Sequence, residues 1–211
     1  MSGSAVRRSG GKARTAAGAG RTLIYIPILH AEADMGGLAR SIHRLVVQKL
    51  GSQAWQSNVD LIGRMWAHIR GTVESWNLPW QKVRLYEDGL PLCGHERQIV
   101  ETLADAGSPN HQLLLSLTKR GATLEGTESP QLLVEEYRLA RLILGARDPQ
   151  HAAKIHARYA AQSRRLLVRR DRYIVGRINE SLRAGETGIL FLGMLHSLPR
   201  LAKDIRVSYP I

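Results

Sequence analysis

Residues 188–201 read GILFLGMLHSLPRL, and this stretch decides the fold. The run from Ile189 to Leu192 is short and wholly apolar, which is typical of a strand buried on both faces. The strand leads into Gly193 and, three residues later, into His196. It therefore ends at a titratable ring rather than at a neutral polar residue. The stretch predicts a core strand whose carboxyl end carries an ionisable group.

Further strands and helices follow from the same kind of pattern. Short apolar or alternating runs predict strands at residues 22–29, 82–86, 122–124 and 205–209, the last of them at an edge of the sheet. Apolar periodicity and capping signals predict helices near residues 38–50, 53–76, 95–106, 109–119, 130–144 and 149–183. Strands that alternate with helices indicate an α/β fold. We expect a parallel or mixed central sheet of four to five strands with helices on both faces.

Prolines mark both helix starts and one irregular strand. Ser108-Pro109, Ser129-Pro130 and Asp148-Pro149 each place a capping side chain before a proline that suits the first helical position. Pro27 lies inside the first predicted strand and has no amide hydrogen to donate. We therefore expect that strand to be at an edge or to end irregularly.

Charge divides the chain into a tail and a domain. The net charge is +12, and residues 1–21 hold five basic and no acidic residues, so the tail supplies +5 and the remainder +7. The tail is rich in Gly, Ala and Ser and lacks apolar periodicity, which predicts a disordered basic tail over residues 1–21. Residues 22–211 are long enough for a single α/β domain with a sizeable core.

Several features favour a cytoplasmic location. The twin arginine of the tail is followed by no apolar run, so an export signal is not expected. No stretch approaches the roughly 18 apolar residues that a membrane span needs. Cys93 is the single cysteine, which suits a reducing compartment.

Ionisable residues follow four of the predicted strands. His30 follows the first, Glu87 the second, Glu125 the third and His196 the fourth. Ligands of open α/β sheets bind beyond the carboxyl ends of the strands, so parallel strands would bring these residues to one edge. Singly, each has a structural interpretation: YEDGLP has the composition of a turn, and EGTES that of a loop before the Ser129 cap. Their convergence favours a functional site.

The last predicted helix carries two misplaced charges. Arg170 and Arg177 fall within its apolar stripe. A buried arginine needs an anionic partner, so Arg170 is expected to hold a site carboxylate or an anionic group of a ligand. The alternative is that these side chains extend to the rim and keep their charge in water. A separate, solvated basic stripe contains Lys154, Arg158, Arg165, Arg169 and Arg172.

The order of these elements resembles the TraB/TIKI/GumN group, which belongs with the erythromycin-esterase and ChaN-like proteins. Members carry two Gly-x-x-His motifs, a Glu after the second strand, a Leu-Glu segment with a downstream Gln, and an Arg-Asn or Arg-Asp helix. The matching residues here are Gly193-Met194-Leu195-His196, Glu87, Leu124-Glu125 with Gln131, and Arg170-Asp171. The first motif departs, because Pro27 stands where the glycine is expected before His30. The resemblance covers about residues 22–208.

This resemblance implies hydrolysis of an ester, lactone or peptide bond in a small-molecule or peptide substrate. In a metal-free mechanism, one histidine accepts a proton from water, Glu87 orients it, and the other histidine or Arg170 stabilises the oxyanion. In a metal mechanism, His30, Glu87 and His196 bind a divalent metal ion that activates water. Glu125 completes the set of candidate site residues.

Two other functions remain open from the sequence. The basic tail and the basic stripe could contact nucleic acid through charge, although aromatic content of 5% is low for a base-stacking surface. The departure at Pro27 would also suit an interaction protein whose catalytic site has decayed. Trp55, Trp66, Trp76 and Trp80 are expected to pack in the core, with an oligomer contact as the alternative.

Overall fold

The computed structural model describes residues 20–145 and 149–210. Five parallel strands form the sheet, in the order β3-β2-β4-β1-β5. They are β1 (Arg21–Ile28), β2 (Val83–Glu87), β3 (Thr123–Glu125), β4 (Thr187–Gly193) and β5 (Ile205–Ser208). The α/β prediction is confirmed, and the sheet is parallel. GILFLG forms the central strand of the sheet, and β5 lies at an edge as predicted.

Six α-helices lie in pairs between the first four described strands: one pair between β1 and β2, one between β2 and β3, and one between β3 and β4. They are α1 (Ala39–Leu50), α2 (Ser52–Ser75), α3 (Glu96–Asp105), α4 (Pro109–Lys119), α5 (Pro130–Leu144) and α6 (Pro149–Ser181). Short 3₁₀ segments occupy Glu32–Leu38 and Trp80–Lys82. The predicted helix bounds agree with these to within about two residues.

The sheet has an apolar layer on each face because its side chains alternate. Ile26, Ile189 and Phe191 face one layer, where they meet buried residues of α2, α3 and α4. Leu190 and Leu192 face the other layer, which contains residues of α6. The expected arrangement of helices on both faces is therefore present, and α6 covers the central strand on its side.

Pro27 lies in an inner strand, not at an edge of the whole sheet. Its strand pairs with β4 throughout, but pairing with β5 ends at Ile24. In the described part of the chain, Pro27 therefore has no strand neighbour on the β5 side, where a missing amide hydrogen costs nothing. The expected edge is local to the carboxyl half of β1.

Side-chain caps start two of the three proline-marked helices. Ser108 accepts a hydrogen bond from the amide of His111, and Ser129 accepts one from Leu132. The third predicted cap, Asp148, and most of the predicted tail, residues 1–19, lie outside the described residues. Within the described ranges, no helix combines the length and the apolar character needed to cross a membrane.

Candidate functional site

Three side chains meet where β1, β2 and β4 end. The Asp88 carboxylate, just past β2, has Oδ2 3.1 Å from Nε2 of His30. The same oxygen accepts a hydrogen bond from the amide of Gly193 at 3.0 Å. His196 places Nε2 3.5 Å from the other Asp88 oxygen. Asp88 therefore bridges the two histidines that the sequence placed at one edge.

Glu87 lies next to this cluster but faces away from it. It is 1% exposed and accepts a hydrogen bond from Nδ2 of Asn110 on α4. Burial, reinforced by the negative charge of Asp88, raises the pKa of Glu87 well above its usual range. Successive residues of a strand point to opposite faces, so Glu87 joins the α4 layer with Val83 and Leu85. Asp88, and not the predicted Glu87, contacts the two histidines.

Glu125, like Glu87, contacts residues other than those expected: it pairs with Arg84 and Arg177 and not with Arg170. It forms an ion pair with Arg84 of β2, and its other oxygen lies 3.5 Å from Arg177. Arg177 also donates from Nε to the carbonyl of Gly126 at 3.1 Å. These contacts hold the end of β3 against β2 and α6. The carboxylate that reaches Arg170 comes from the loop that follows, at Glu128.

Arg170 is the hub of the buried charges. Its Nε and Nη2 donate to the two oxygens of Glu128 at 3.1 and 2.5 Å. Nη2 also donates to Asp88 at 2.8 Å, and Nη1 donates to Glu136. The Arg170 and Glu128 side chains are 5% and 0% exposed. Arg170 thus contacts three carboxylates, as expected of a charge on an apolar helix face.

Burial shapes the pKa of Glu128 as well. Loss of solvent raises the pKa of this carboxyl, and the nearby charge of Asp88 adds to the increase, although the contacts of Arg170 oppose it. The ionised form of Glu128 therefore depends on Arg170 for its stability.

His196 is held between two carboxylates. Its Nδ1 lies 2.7 Å from Oδ1 of Asp171, the residue after Arg170 on α6. The amide and hydroxyl of Ser197 donate to the other Asp171 oxygen at 3.2 and 2.7 Å. Asp171 lies at Nδ1 and Asp88 at Nε2, so a carboxylate flanks each ring nitrogen of His196.

The contact between His30 and Asp88 shifts the pKa values of the two groups in opposite directions. Burial opposes the charge of His30, but the hydrogen bond and negative charge of Asp88 outweigh it and raise the pKa of His30. Burial also opposes ionisation of Asp88, yet the contact with His30 and the charges of His196 and Arg170 lower its pKa. Asp88 is therefore ionised at neutral pH.

A second carboxylate–histidine pair lines the same cleft. Asp34 accepts hydrogen bonds from the amide of Ala31 at 2.7 Å and from the Ser108 hydroxyl. Burial raises the pKa of Asp34, but its contacts with His111, Ser108 and the Ala31 amide reverse this and lower it. The Ser108 hydroxyl gives its hydrogen to Asp34, so at 2.7 Å it accepts from Nδ1 of His111.

These groups surround one cleft of about 650 Å³. Its polar lining comprises His30, Asp34, Asp88, His111, Glu136, Arg170 and His196. Most of the remaining wall is apolar, including Met35, Leu38, Leu167 and the exposed Leu195. A cleft of this size, with a few convergent polar groups in an apolar wall, has the features of a small-molecule site.

One set of side chains has the spacing of a metal site. Ligand atoms of Asp88, Glu128 and His196 lie within 4.8 Å of one another. The predicted set of His30, Glu87 and His196 does not assemble, because Glu87 faces α4. Arg170 already donates Nη2 to both Asp88 and Glu128, so a divalent ion there would lie beside a fixed positive charge. With Arg170 in this position, the residues do not fit a metal ion.

Gly193 allows the carboxylate of Asp88 to enter the cluster. A Cβ atom at this position would lie 2.7 Å from Oδ2 of Asp88. The carbonyl of Gly193 accepts from the amide of His196 at 3.0 Å, which closes a turn and brings the imidazole back to the strand end. The Gly-x-x-His spacing therefore places two features on one turn: the glycine that lets Asp88 come close, and the histidine.

We expect Gly193→Ala to displace Asp88 and to destabilise the fold by about 1–3 kcal/mol, as is typical of overpacking. Gly176→Ala is the matched control, because this residue lies within α6 and a Cβ there meets nothing within 4 Å. Alanine at position 176 should be neutral or slightly stabilising. Chemical denaturation of both variants measures the difference. Equal stability would mean that Asp88 can move to accommodate a Cβ at position 193 without cost.

The basic stripe of α6 remains on the surface. Its five side chains, at residues 154, 158, 165, 169 and 172, are all exposed. Arg169 forms an ion pair with Glu135 of α5 at 2.8 Å. The stripe lies on the side of α6 away from its buried residues, so it does not contribute to the cleft.

The sequence contained weak signals for the residues it missed. Asp88 stands beside the predicted site residue Glu87, and Glu128 lies three residues after Glu125 in the EGTES loop. Asp171 is the second member of the Arg-Asp pair. His111 had no signal beyond its position three residues after a helix cap.

Comparisons with known proteins provide no assignment for this site. A scan against protein-family models, a search of curated proteins and a search of solved structures each returned no match. The chemistry of the cleft therefore has to be inferred from its own residues.

Proposed function

We propose that this protein is a hydrolase of ester, lactone or peptide bonds, related in its site to the TraB/TIKI/GumN and erythromycin-esterase proteins. The proposal is carried by one observation: Asp88 joins His30, His196 and Arg170 at the carboxyl edge of a parallel sheet. Histidine next to an ionised carboxylate is a common arrangement of a general base in hydrolysis. Pro27 leaves His30 in contact with Asp88.

His30 is the general base. Asp88 is ionised and can only accept, so Nε2 of His30 carries the hydrogen of their 3.1 Å contact. The neutral ring then has its lone pair on Nδ1. The His30 side chain is 38% exposed and lines the cleft, so a water molecule can reach it. Asp88 orients the ring and stabilises the imidazolium that forms.

Arg170 supplies a fixed positive charge next to the base, and His196 supplies an imidazole ring. Both line the cleft and both contact Asp88. An oxyanion that develops on the substrate carbonyl gains stability from a preorganised positive charge and from hydrogen-bond donors beside it. Arg170 is shared among three carboxylates, and His196 lies between two.

The proposed reaction balances with water as the only co-substrate. His30 removes a proton from water as the oxygen attacks the carbonyl carbon. The tetrahedral intermediate collapses, the bond from carbon to the leaving oxygen or nitrogen breaks, and the imidazolium of His30 returns the proton to the leaving group. The products are a carboxylic acid and an alcohol or amine.

A panel of ester, lactone and peptide substrates tests the proposal. We expect the purified protein to hydrolyse at least one class and His30→Gln to reduce the rate by about 10²–10⁴, the usual contribution of a general base. Activity should survive a chelator, because the mechanism uses no metal. Loss of activity with EDTA and recovery with a divalent ion would instead favour a metal bound by Asp88, Glu128 and His196. Full activity of His30→Gln would refute the role of His30.

The rate should also depend on pH in a defined direction. A general base acts when deprotonated, and the pKa of His30 is raised above its ordinary 6.5. The rate should therefore rise with pH through an apparent pKa above 6.5. The stability contributed by protonated His30 is complete below the unfolded pKa and is lost as pH rises through the folded pKa. A rate that falls with pH across this interval would contradict the assignment.

A further inference from the structure

A second cavity, of about 440 Å³, adjoins the cleft between α1 and α2. We name it the apolar groove; its walls are mainly Met35, Ile42, Val46, Trp55, Val59 and Ile62. The volume is within the range of small-molecule sites. The groove is therefore large enough to hold a substantial part of a ligand.

The apolar groove is continuous with the cleft. Leu29, His30, Met35 and Ile42 line both cavities. His30 thus stands at their junction, with the Asp88 cluster on one side and the groove on the other. A ligand whose reactive carbonyl lies at His30 can extend directly into the groove.

The lining of the groove indicates the chemistry of its occupant. No lysine or arginine lines it among the described residues, and Glu32 is its charged member. In the adjoining cleft Arg170 already contacts three carboxylates. A ligand with an anionic group such as a phosphate would therefore meet acidic side chains and no available cation. A neutral hydrocarbon chain would instead bury its own apolar surface and that of the groove.

Resting on the proposed hydrolase function, we propose that the substrate is an ester or lactone whose acid portion carries an aliphatic chain, and that this chain occupies the apolar groove. The carbonyl lies beside His30, and the leaving alcohol lies in the cleft towards His196. Hydrolysis consumes water and yields the aliphatic carboxylic acid and the free alcohol, with the proton route described above.

Gly63 provides a way to fill the groove without disturbing the fold. It lies on α2, lines the groove, and a Cβ there meets nothing within 4 Å. Leucine at this position replaces a poor helix former with a good one and adds a bulky side chain at the wall of the groove. Gly71 is the matched control, because it lies on the same helix with the same open surroundings but does not line the groove.

Methyl ketones of increasing chain length serve as probes, because they mimic the ester carbonyl but cannot be hydrolysed. Calorimetry on the full chain should show affinity increasing by up to about fourfold for each added methylene, as expected for burial of hydrocarbon. Gly63→Leu should reduce the ratio of long-chain to short-chain affinity at least tenfold, and Gly71→Leu should leave it unchanged. Affinity that does not vary with chain length, or an equal response of both variants, would overturn the proposal.

Ester hydrolysis in the same variants separates this inference from the proposed function. If short and long acyl esters are both cleaved at equal kcat/KM, the hydrolase survives and the groove assignment fails. If no ester is cleaved but long-chain ketones bind and Gly63→Leu weakens them, the groove assignment survives and hydrolysis fails. Sedimentation of Gly63→Leu checks for a second copy of the chain in the groove; a change of mass without a chain-length effect would refute the proposal.

Discussion

Arg170→Met should destabilise the protein by about 3–5 kcal/mol, because it removes one partner from a buried set of ion pairs. Glu128, which is 0% exposed, and Asp88 would both lose their guanidinium partner. For a domain of this size the loss corresponds to a decrease in Tm of about 10 °C. Thermal and urea unfolding of the full chain measure it.

The neighbouring Arg169 provides a matched control. Its side chain is 54% exposed and pairs with Glu135, so Arg169→Met should cost less than about 1 kcal/mol. If the two variants are equally stable, the buried carboxylates do not depend on Arg170. In that case, ion pairing would not explain why an arginine stands on the apolar face of α6.

The defect of Arg170→Met should also depend on pH. The pKa of Glu128 is already raised by burial and by Asp88, and loss of Arg170 raises it further. The folded state then binds a proton more tightly than the unfolded state, so stability increases as pH falls through the folded pKa. The gap from the wild-type protein should therefore be smaller in mildly acidic buffer than at neutral pH.

Asp88→Asn should reduce kcat by about 10²–10⁴ in whichever hydrolytic assay detects the wild-type protein. The carboxylate that fixes the tautomer of His30 becomes an amide, whose NH₂ can donate to Nε2 and move the ring hydrogen to Nδ1. The lone pair needed by water is then lost. Loss of the negative charge also lowers the pKa of His30. The pH profile of any residual activity should shift to lower pH.

Glu87→Gln is the matched control for Asp88→Asn. Burial and the charge of Asp88 raise the pKa of Glu87, which favours its neutral form, and its partner Asn110 lies on α4 outside the cleft. The carbonyl of Asn110 and one oxygen of Glu87 lack partners among the described residues, so a glutamine amide can replace the protonated carboxyl with little change. We expect Glu87→Gln to retain most activity. The reverse result, with Glu87→Gln inactive and Asp88→Asn active, would return the catalytic role to Glu87.

Local periodicity accounts for the features that the sequence predicted correctly. The uniform apolar run of GILFL required a strand covered on both faces, and the observed strand is central in a parallel sheet. The same reasoning located His30 and His196 beyond strand ends. It also identified Arg170 as a charge in an apolar stripe that needed a carboxylate.

The choice among adjacent acids could not be made in this way. Glu87 and Asp88 are consecutive, and the face that each presents depends on where β2 ends and which helix covers it. Glu125 ends β3 and Glu128 follows it in the loop, but of these two only Glu128 reaches Arg170. The sequence therefore identified segments that converge in the structure. In two of them, a different acid from the predicted one contacts the cluster of His30, His196 and Arg170.

The sequence by itself determined the order and type of the elements and the edge at which ionisable groups collect, because these depend on interactions between residues close in the chain. Only the tertiary structure decided which groups touch. Asp88 and Arg170 are 82 residues apart, and Asp34 and Ser108 are 74 apart. Such contacts depend on how helices lie across the sheet, and strand or helix periodicity carries no information about that arrangement.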